Sequence, residues 1–273
     1  MTRVSLKTQL QSEEKVKKTK QNKKSVGAGG IIGAILIAAI VLVLAVSIIG
    51  SLSWQTILPN VHAYGVDVGG MTVAEAKTAI RAKLDAAGIK VSSIGSPIGK
   101  IKLTDDFEDQ INLFKRMLEI AKIFETDYIR MFSFFVPEEE CEKSRDEVLR
   151  RWERYIEVAK GSGITLLHEN EKDIYGDIGS RCKVILDELA SPNFKAAFDF
   201  ANFVQCGENT EECWEMLKEH VAYIHIKDAV AGNNENVVCA TGDGKIPEIL
   251  KKAIREDGYE GFLTLEPHLV LFA

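Results

Sequence analysis

From Gly88 onward, short apolar runs alternate with amphipathic stretches, and that alternation limits the architecture of the 273-residue chain more than any other feature. The runs Lys90–Ile94, Tyr128–Phe135, Ile164–Glu169, Phe194–Asp199, Val221–Ile226 and Gly261–Glu266 read as strands. Between them, apolar residues recur three and four positions apart. One set is Ile111, Phe114, Leu118 and Ala121, and another is Val148, Trp152, Tyr155 and Ala159. Cys182, Ile185, Leu186 and Leu189 make a third, and Ile249, Leu250, Ala253 and Ile254 a fourth. That spacing places each set on one face of a helix, where its Trp and Tyr are core residues. Near-continuous apolar strands alternating with such helices imply a parallel sheet covered by helices. A TIM barrel and an open doubly wound sheet both satisfy the pattern.

Polar residues at the strand ends favour the barrel. Glu169 ends one strand in LLHEN, Asp199 another in AAFDF, His225 lies in YIHIKD and Glu266 in LTLEPH. No GxGxxG turn follows any strand, which argues against a dinucleotide site. Burying isolated carboxylates is costly, and a cation placed among several of them offsets that cost. In a barrel the C-terminal strand ends converge on one axis, which brings the four side chains together.

The segments SSIGSPIGKI, LLHENEKDIYGD, FDFANFVQ, YIHIKDA and GFLTLEPH, in that order between about Ala86 and His268, resemble the sugar phosphate isomerases/epimerases of the xylose-isomerase-like TIM barrel superfamily. The resemblance implies one divalent metal held by Glu169, Asp199, His225 and Glu266. Mn²⁺ is the usual occupant, with Mg²⁺, Co²⁺ or Zn²⁺ as alternatives, and three oxygen ligands with one imidazole suit Mn²⁺. It also implies isomerisation or epimerisation of a small sugar or sugar phosphate through an enediolate, with Glu169 and Glu266 as the catalytic acid/base pair. His168, Asn202 and Lys227 are candidate substrate contacts, although His168 also reads as a histidine satisfied by its neighbours rather than a ligand. Asn202 stands where many relatives carry His, and Lys227 is either a substrate contact or a partner of Asp228. Gly242 and Gly244 read as a tight turn, or else as backbone amides facing a substrate phosphate. Members of this superfamily have two βα units before SSIGSPIGKI and a helix after the LTLEPH strand. This resemblance therefore predicts an incomplete (β/α) TIM barrel lacking the first βα unit and the last helix. Strand Val61–Val68 and helix Thr72–Ala86 would stand in for the second unit and give seven strands.

The N-terminal third has a different character. No Asp, Glu, Lys or Arg occurs from Ser25 to Val66, and Val26–Gly50 is almost pure Ile, Leu, Val, Ala and Gly. Such a run exceeds the roughly 30 Å of bilayer hydrocarbon and has no polar face. It predicts one transmembrane helix. The lysines crowded at Lys15–Lys24 then keep the N-terminus cytoplasmic, making a single-pass membrane protein. Past it, Thr72 and Glu75 form the pattern of a capping box. The segment GVDVGGMTVAEAK after a membrane helix resembles the start of VanW-like proteins, whose module binds peptidoglycan. The expected organisation is a basic tail (1–25), a membrane helix (26–53), a strand–turn–helix linker (54–87) and the barrel (88–273).

Charge follows the same division: +6 over residues 1–24, 0 over 25–87 and −12 over 88–273. A body so acidic repels phosphate backbones, so nucleic acid is not an expected partner. An apurinic-site endonuclease of the same superfamily would need a His-rich three-zinc site, and the body has only His168, His220, His225 and His268. The five cysteines show no disulfide spacing, which fits a reducing compartment and the cytoplasmic setting of the barrel family. The expected partners are a small sugar or sugar phosphate and, through the N-terminal helix, a membrane; a homo-oligomer is compatible with the sequence. The alternative function is a membrane-anchored cell-wall-binding or scaffold protein with an inactive barrel, the product of a fused or truncated gene.

Overall fold

The computed structural model describes residues 56–63, 65–233, 235–266 and 268. The basic tail and the apolar run Val26–Gly50 lie outside the described residues. Among the described residues no helix is long and apolar enough to cross a membrane. The chain divides into two compact units after Ala79.

In the first unit, β1 (His62–Ala63) and β2 (Val66–Asp67) pair antiparallel in a sheet of their own. The single strand expected over Val61–Val68 is thus split. Gly65, at φ +69°, takes the left-handed conformation that folds the chain back on itself. The helix α1 (Val73–Ala86) begins with the expected capping box. Glu75 N donates to Thr72 Oγ1 at 3.2 Å and Thr72 N to Glu75 Oε2 at 2.8 Å, satisfying two amides that the first turn leaves free.

The second unit winds as a β/α series. In chain order come β3 (Ile94–Gly95), α2 (Phe107–Phe124), β4 (Tyr128–Met131), α3 (Cys141–Ala159), β5 (Thr165–Glu169) and α4 (Gly179–Glu188). These are followed by β6 (Phe194–Asp199), α5 (Phe200–Gln205), α6 (Thr210–Leu217) and β7 (Val221–Ile226). A small antiparallel ribbon, β8 (Asp228–Val230) with β9 (Glu235–Val237), precedes α7 (Ile246–Arg255) and β10 (Phe262–Leu265). The main sheet has six parallel strands in the order β10-β7-β6-β5-β4-β3. Each crossover advances one position in the same direction. That is barrel winding, because a doubly wound sheet reverses direction at a switch point. Among the described residues the fold is a partial (β/α) barrel of six strands rather than the expected seven, since β1 and β2 form a two-stranded sheet of their own. Strand Tyr128–Phe135 ends early at Met131, and Phe134 at φ +70° turns the chain away.

Strand alternation sorts the side chains between two faces. Ile129, Met131, Leu166, Ala196, Phe198, Ile224 and Ile226 join the helices in the main core. The apolar sets predicted for α2 and α3 are buried there, with Trp152 and Tyr155 at 0% exposure. On the other face, Leu167, Ala197 and Tyr223 form a small apolar layer. Glu169, Asp199 and His225 follow two residues later on that same face, so the apolar layer floors a polar centre. All five cysteines are free.

Candidate functional site

The centre lies at the C-terminal ends of β5, β6, β7 and β10, and register brings its members level. Asp199 is paired with His225 across β6 and β7, and Thr264 with His225 across β7 and β10. Glu266 N then bonds Ile226 O at 3.1 Å, which turns the residue after β10 toward the same point. His225 Nδ1 lies 2.7 Å from Glu169 Oε1, 3.0 Å from Glu266 Oε2 and 3.8 Å from Asp199 Oδ2. One donor atom from each of the four residues falls within 4.8 Å of the others. Glu169, Asp199 and His225 are buried, whereas the Glu266 side chain keeps 30% exposure and marks the side open to solvent.

Three carboxylates in so small a space need compensating charge. Burial alone would lower the His225 pKa, but hydrogen bonds to Glu169 and Glu266 outweigh it and lift it to about 10. Burial likewise opposes ionisation of Glu266, yet the same imidazole holds it down at about 2. For Glu169, burial is overcome by His225 and then by Arg130, and its pKa falls below the usual carboxylate range. Asp199 goes the other way: its complete burial raises it despite Lys227 Nζ at 3.0 Å.

The donor set fits a divalent cation. Asp199 Oδ2 is fully buried and receives no well-directed hydrogen bond, although Lys227 lies within ion-pair distance. An acceptor left in that state inside a protein is costly, and a cation shared with Glu169, His225 and Glu266 removes the cost. Three oxygens and one imidazole are a donor set that a divalent cation can take.

The remaining candidates divide. Lys227 and Asn202 stand beside the centre but serve Asp199. Lys227 Nζ donates to Asn202 Oδ1 at 2.8 Å, Asn202 N donates to Asp199 Oδ1 at 2.8 Å, and Asn202 Nδ2 donates to Asn170 O at 2.8 Å. Lys227 is therefore not a partner of Asp228. The Asp228 carboxylate instead accepts from Gly242 N and Gly244 N, both at 3.0 Å, so those amides face this chain's own side chain rather than a phosphate. A substrate role for His168 does not fit its position. Alternation points it into the helix layer, where Nε2 is 2.9 Å from Ser133 Oγ and the ring stands edge-on to Trp152 at 5.6 Å. Burial there drives its pKa down to about 3.

Two contributors escaped the sequence reading. Asn170 locks the β6 end by accepting from Asp199 N at 2.9 Å and donating to Asp199 O at 3.0 Å. Arg130 brings Nε to 3.1 Å from Glu169 Oε2. Its signal was present: a lone Arg inside the apolar run YIRMFS needs a polar destination.

Winding and strand-end centre together define a partial β/α barrel with its polar site at the C-terminal face. The chain belongs to the family described as Xylose isomerase-like TIM barrel, which matches residues 60–269. Among solved structures it is similar to the probable 3-DHS dehydratase AsbF of Bacillus anthracis, involved in petrobactin synthesis, at 20% identity and a TM-score of 0.61, covering 70% of this chain and 75% of that one. It is similar to a D-tagatose 3-epimerase-like protein at 17% identity and a TM-score of 0.61, covering 71% and 77%. The IOLI protein with a bound zinc atom aligns at 15% identity and a TM-score of 0.60, covering 70% and 72%. Such identities establish likeness of fold. No curated protein matches the chain.

Proposed function

We propose that this chain is a divalent-metal-dependent isomerase or epimerase of a small sugar or sugar phosphate, working by proton transfer through an enediolate. The observation that carries this reading is the convergence of Glu169, Asp199, His225 and Glu266 within 4.8 Å at the strand ends. It is supported by similarity to a D-tagatose 3-epimerase-like protein and to a protein with bound zinc. A divalent ion bound there, Mn²⁺ by preference, would polarise the substrate carbonyl as a Lewis acid. Glu169 and Glu266 supply the carboxylates that remove the proton from the adjacent carbon and return it. They approach the His225 imidazole from different strands, β5 and the end of β10. Glu266 is the more exposed of the two and meets the substrate from the solvent side. Asp199, with both backbone and side chain braced by Asn170, Asn202 and Lys227, holds position and does not move a proton.

The test is solvent exchange. The chain loaded with Mn²⁺ in D₂O is expected to exchange the proton next to the carbonyl of D-tagatose or D-fructose, followed by proton NMR. Glu169→Gln or Glu266→Gln should lower the exchange rate by about 10²–10⁴-fold with metal in excess. His225→Ala should weaken metal binding and recover part of its activity in excess metal. Isomerisation with no proton exchange would point to hydride transfer and overturn the mechanism. The inactive-scaffold alternative requires no bound ion at all, so metal content separates the two. For the N-terminus we infer a membrane anchor with a cytoplasmic tail; extraction of the full chain by carbonate without detergent would overturn that.

A further inference from the structure

We propose that Arg130 and Lys100 form an anion subsite beside the four strand-end residues, so that the sugar taken by this site carries a carboxylate or phosphate group. The proposal rests on the proposed function and names its substrate class. Arg130, on β4, faces the polar centre, and Phe132 lies just past the end of that strand. The Arg130 guanidinium carbon is 4.6 Å from the centre of the Phe132 ring. Lys100, in the turn after β3, places Nζ 4.2 Å from the same ring centre. Two cations thus attend one aromatic ring beside the ends of β3 and β4, next to Glu169.

Arg130 is not spent on its protein contacts. Its Nε is buried and 3.1 Å from Glu169 Oε2, but too poorly aligned to make a hydrogen bond. Nη1 reaches Ser96 O only at 3.5 Å, and Nη2 has no hydrogen-bond partner among the described residues. The side chain is only 19% exposed, so these donors have lost most of their water without a full set of replacements. Gly95 keeps the space clear, since a Cβ there would stand 3.2 Å from Nη2. Lys100 is paired with Glu171 at 3.0 Å and remains 36% exposed, so it keeps donors to spare. With a divalent ion in place, the charges of Glu169, Asp199, Glu266 and Glu171 are outweighed by that ion together with Lys227, Arg130 and Lys100. A planar guanidinium and an ammonium held over one ring are the groups that recognise carboxylate or phosphate oxygens.

The experiment uses the full chain in detergent, loaded with Mn²⁺, and titrates it calorimetrically with D-fructose, D-fructose 6-phosphate, D-fructuronate and inorganic phosphate. The anionic ketoses should bind at least about tenfold more tightly than D-fructose, and the tighter of the two identifies the group. Lys100→Gln should lose most of that preference while binding D-fructose within about threefold of the native chain. The double variant Arg130→Gln/Lys100→Gln should bring the ratio near one and abolish inorganic phosphate binding, whereas Arg130→Lys should keep part of both. Equal affinity for neutral and anionic ketoses in the native chain would overturn the proposal, as would a preference surviving in the double variant. Proton exchange decides the activity separately. Exchange without anion preference refutes the subsite alone. Phosphate binding lost in the double variant, with no exchange of any ketose, refutes the activity alone.

Discussion

Metal binding at the strand ends should release protons, and the amount follows from the geometry of His225. The Nδ1 atom that would face a cation instead bonds Glu169 at 2.7 Å and Glu266 at 3.0 Å, and these contacts overcome burial to raise its pKa to about 10. Below that pH the imidazole is cationic in the metal-free protein, and it must lose its proton to become a ligand. Each ion bound therefore displaces one proton across the neutral range, and apparent affinity should rise about tenfold per pH unit, or ~1.4 kcal/mol. Between about pH 6 and pH 9 the gain is on the order of a thousandfold. Asp199, whose pKa burial has raised, adds a second proton toward the acid end and steepens the slope there. Calorimetric Mn²⁺ titrations in two buffers of different ionisation enthalpy measure the affinity and the protons released together. His225→Gln should lose the proton release at alkaline pH as well as affinity. A flat affinity over this range, with no protons released, would refute the reasoning.

Other consequences concern the supporting structure. His168 is held neutral with a pKa near 3, below the ordinary value of about 6.5, because its site is dry. The unfolded chain then binds the extra proton, so this contribution is full above about pH 6.5 and falls by roughly 1.4 kcal/mol per unit toward pH 3. Urea unfolding at several pH values should show a shallower acid loss in His168→Phe than in the native chain. Gly176→Ala would put a Cβ 2.4 Å from His168 Cε1 and 2.9 Å from Ser133 Oγ, and should cost about 1–3 kcal/mol of stability by the same assay. Asp228→Ala removes the acceptor for Gly242 N and Gly244 N. It should speed hydrogen exchange of those two amides and cost about 1–3 kcal/mol.

What the sequence made legible follows from where patterns are strongest. Phe194–Asp199 and Val221–Ile226 are bounded as read, because strands buried on both faces form unbroken apolar runs with abrupt polar ends. Lys90–Ile94 meets the observed strand only at Ile94, because the strand starts there and runs on to Gly95; Tyr128–Phe135 overruns its strand, since apolar loop residues at a barrel mouth look like strand. Phe134, at positive φ, is one of them. Val61–Val68 carried a warning in Gly65, the residue that turns it into a hairpin and leaves the parallel sheet with six strands. Glu169, Asp199, His225 and Glu266 stood out because ionisable groups ending apolar strands are anomalous. The bracing around them was not legible. That Lys227 turns to Asp199 and not Asp228, and that Asp228 collects glycine amides, depends on how loops distant in sequence fold over one another.

The central claim is that Glu169, Asp199, His225 and Glu266 hold one divalent ion between them. A crystal of the full chain soaked in Mn²⁺, measured at a wavelength where manganese scatters anomalously, tests it directly. The account predicts a single strong anomalous peak, with Asp199 Oδ2, His225 Nδ1 and an oxygen of each glutamate within about 2.0–2.6 Å of it. An anomalous map with no peak among these four side chains, and His225 still bonded to Glu169 in saturating Mn²⁺, would contradict it.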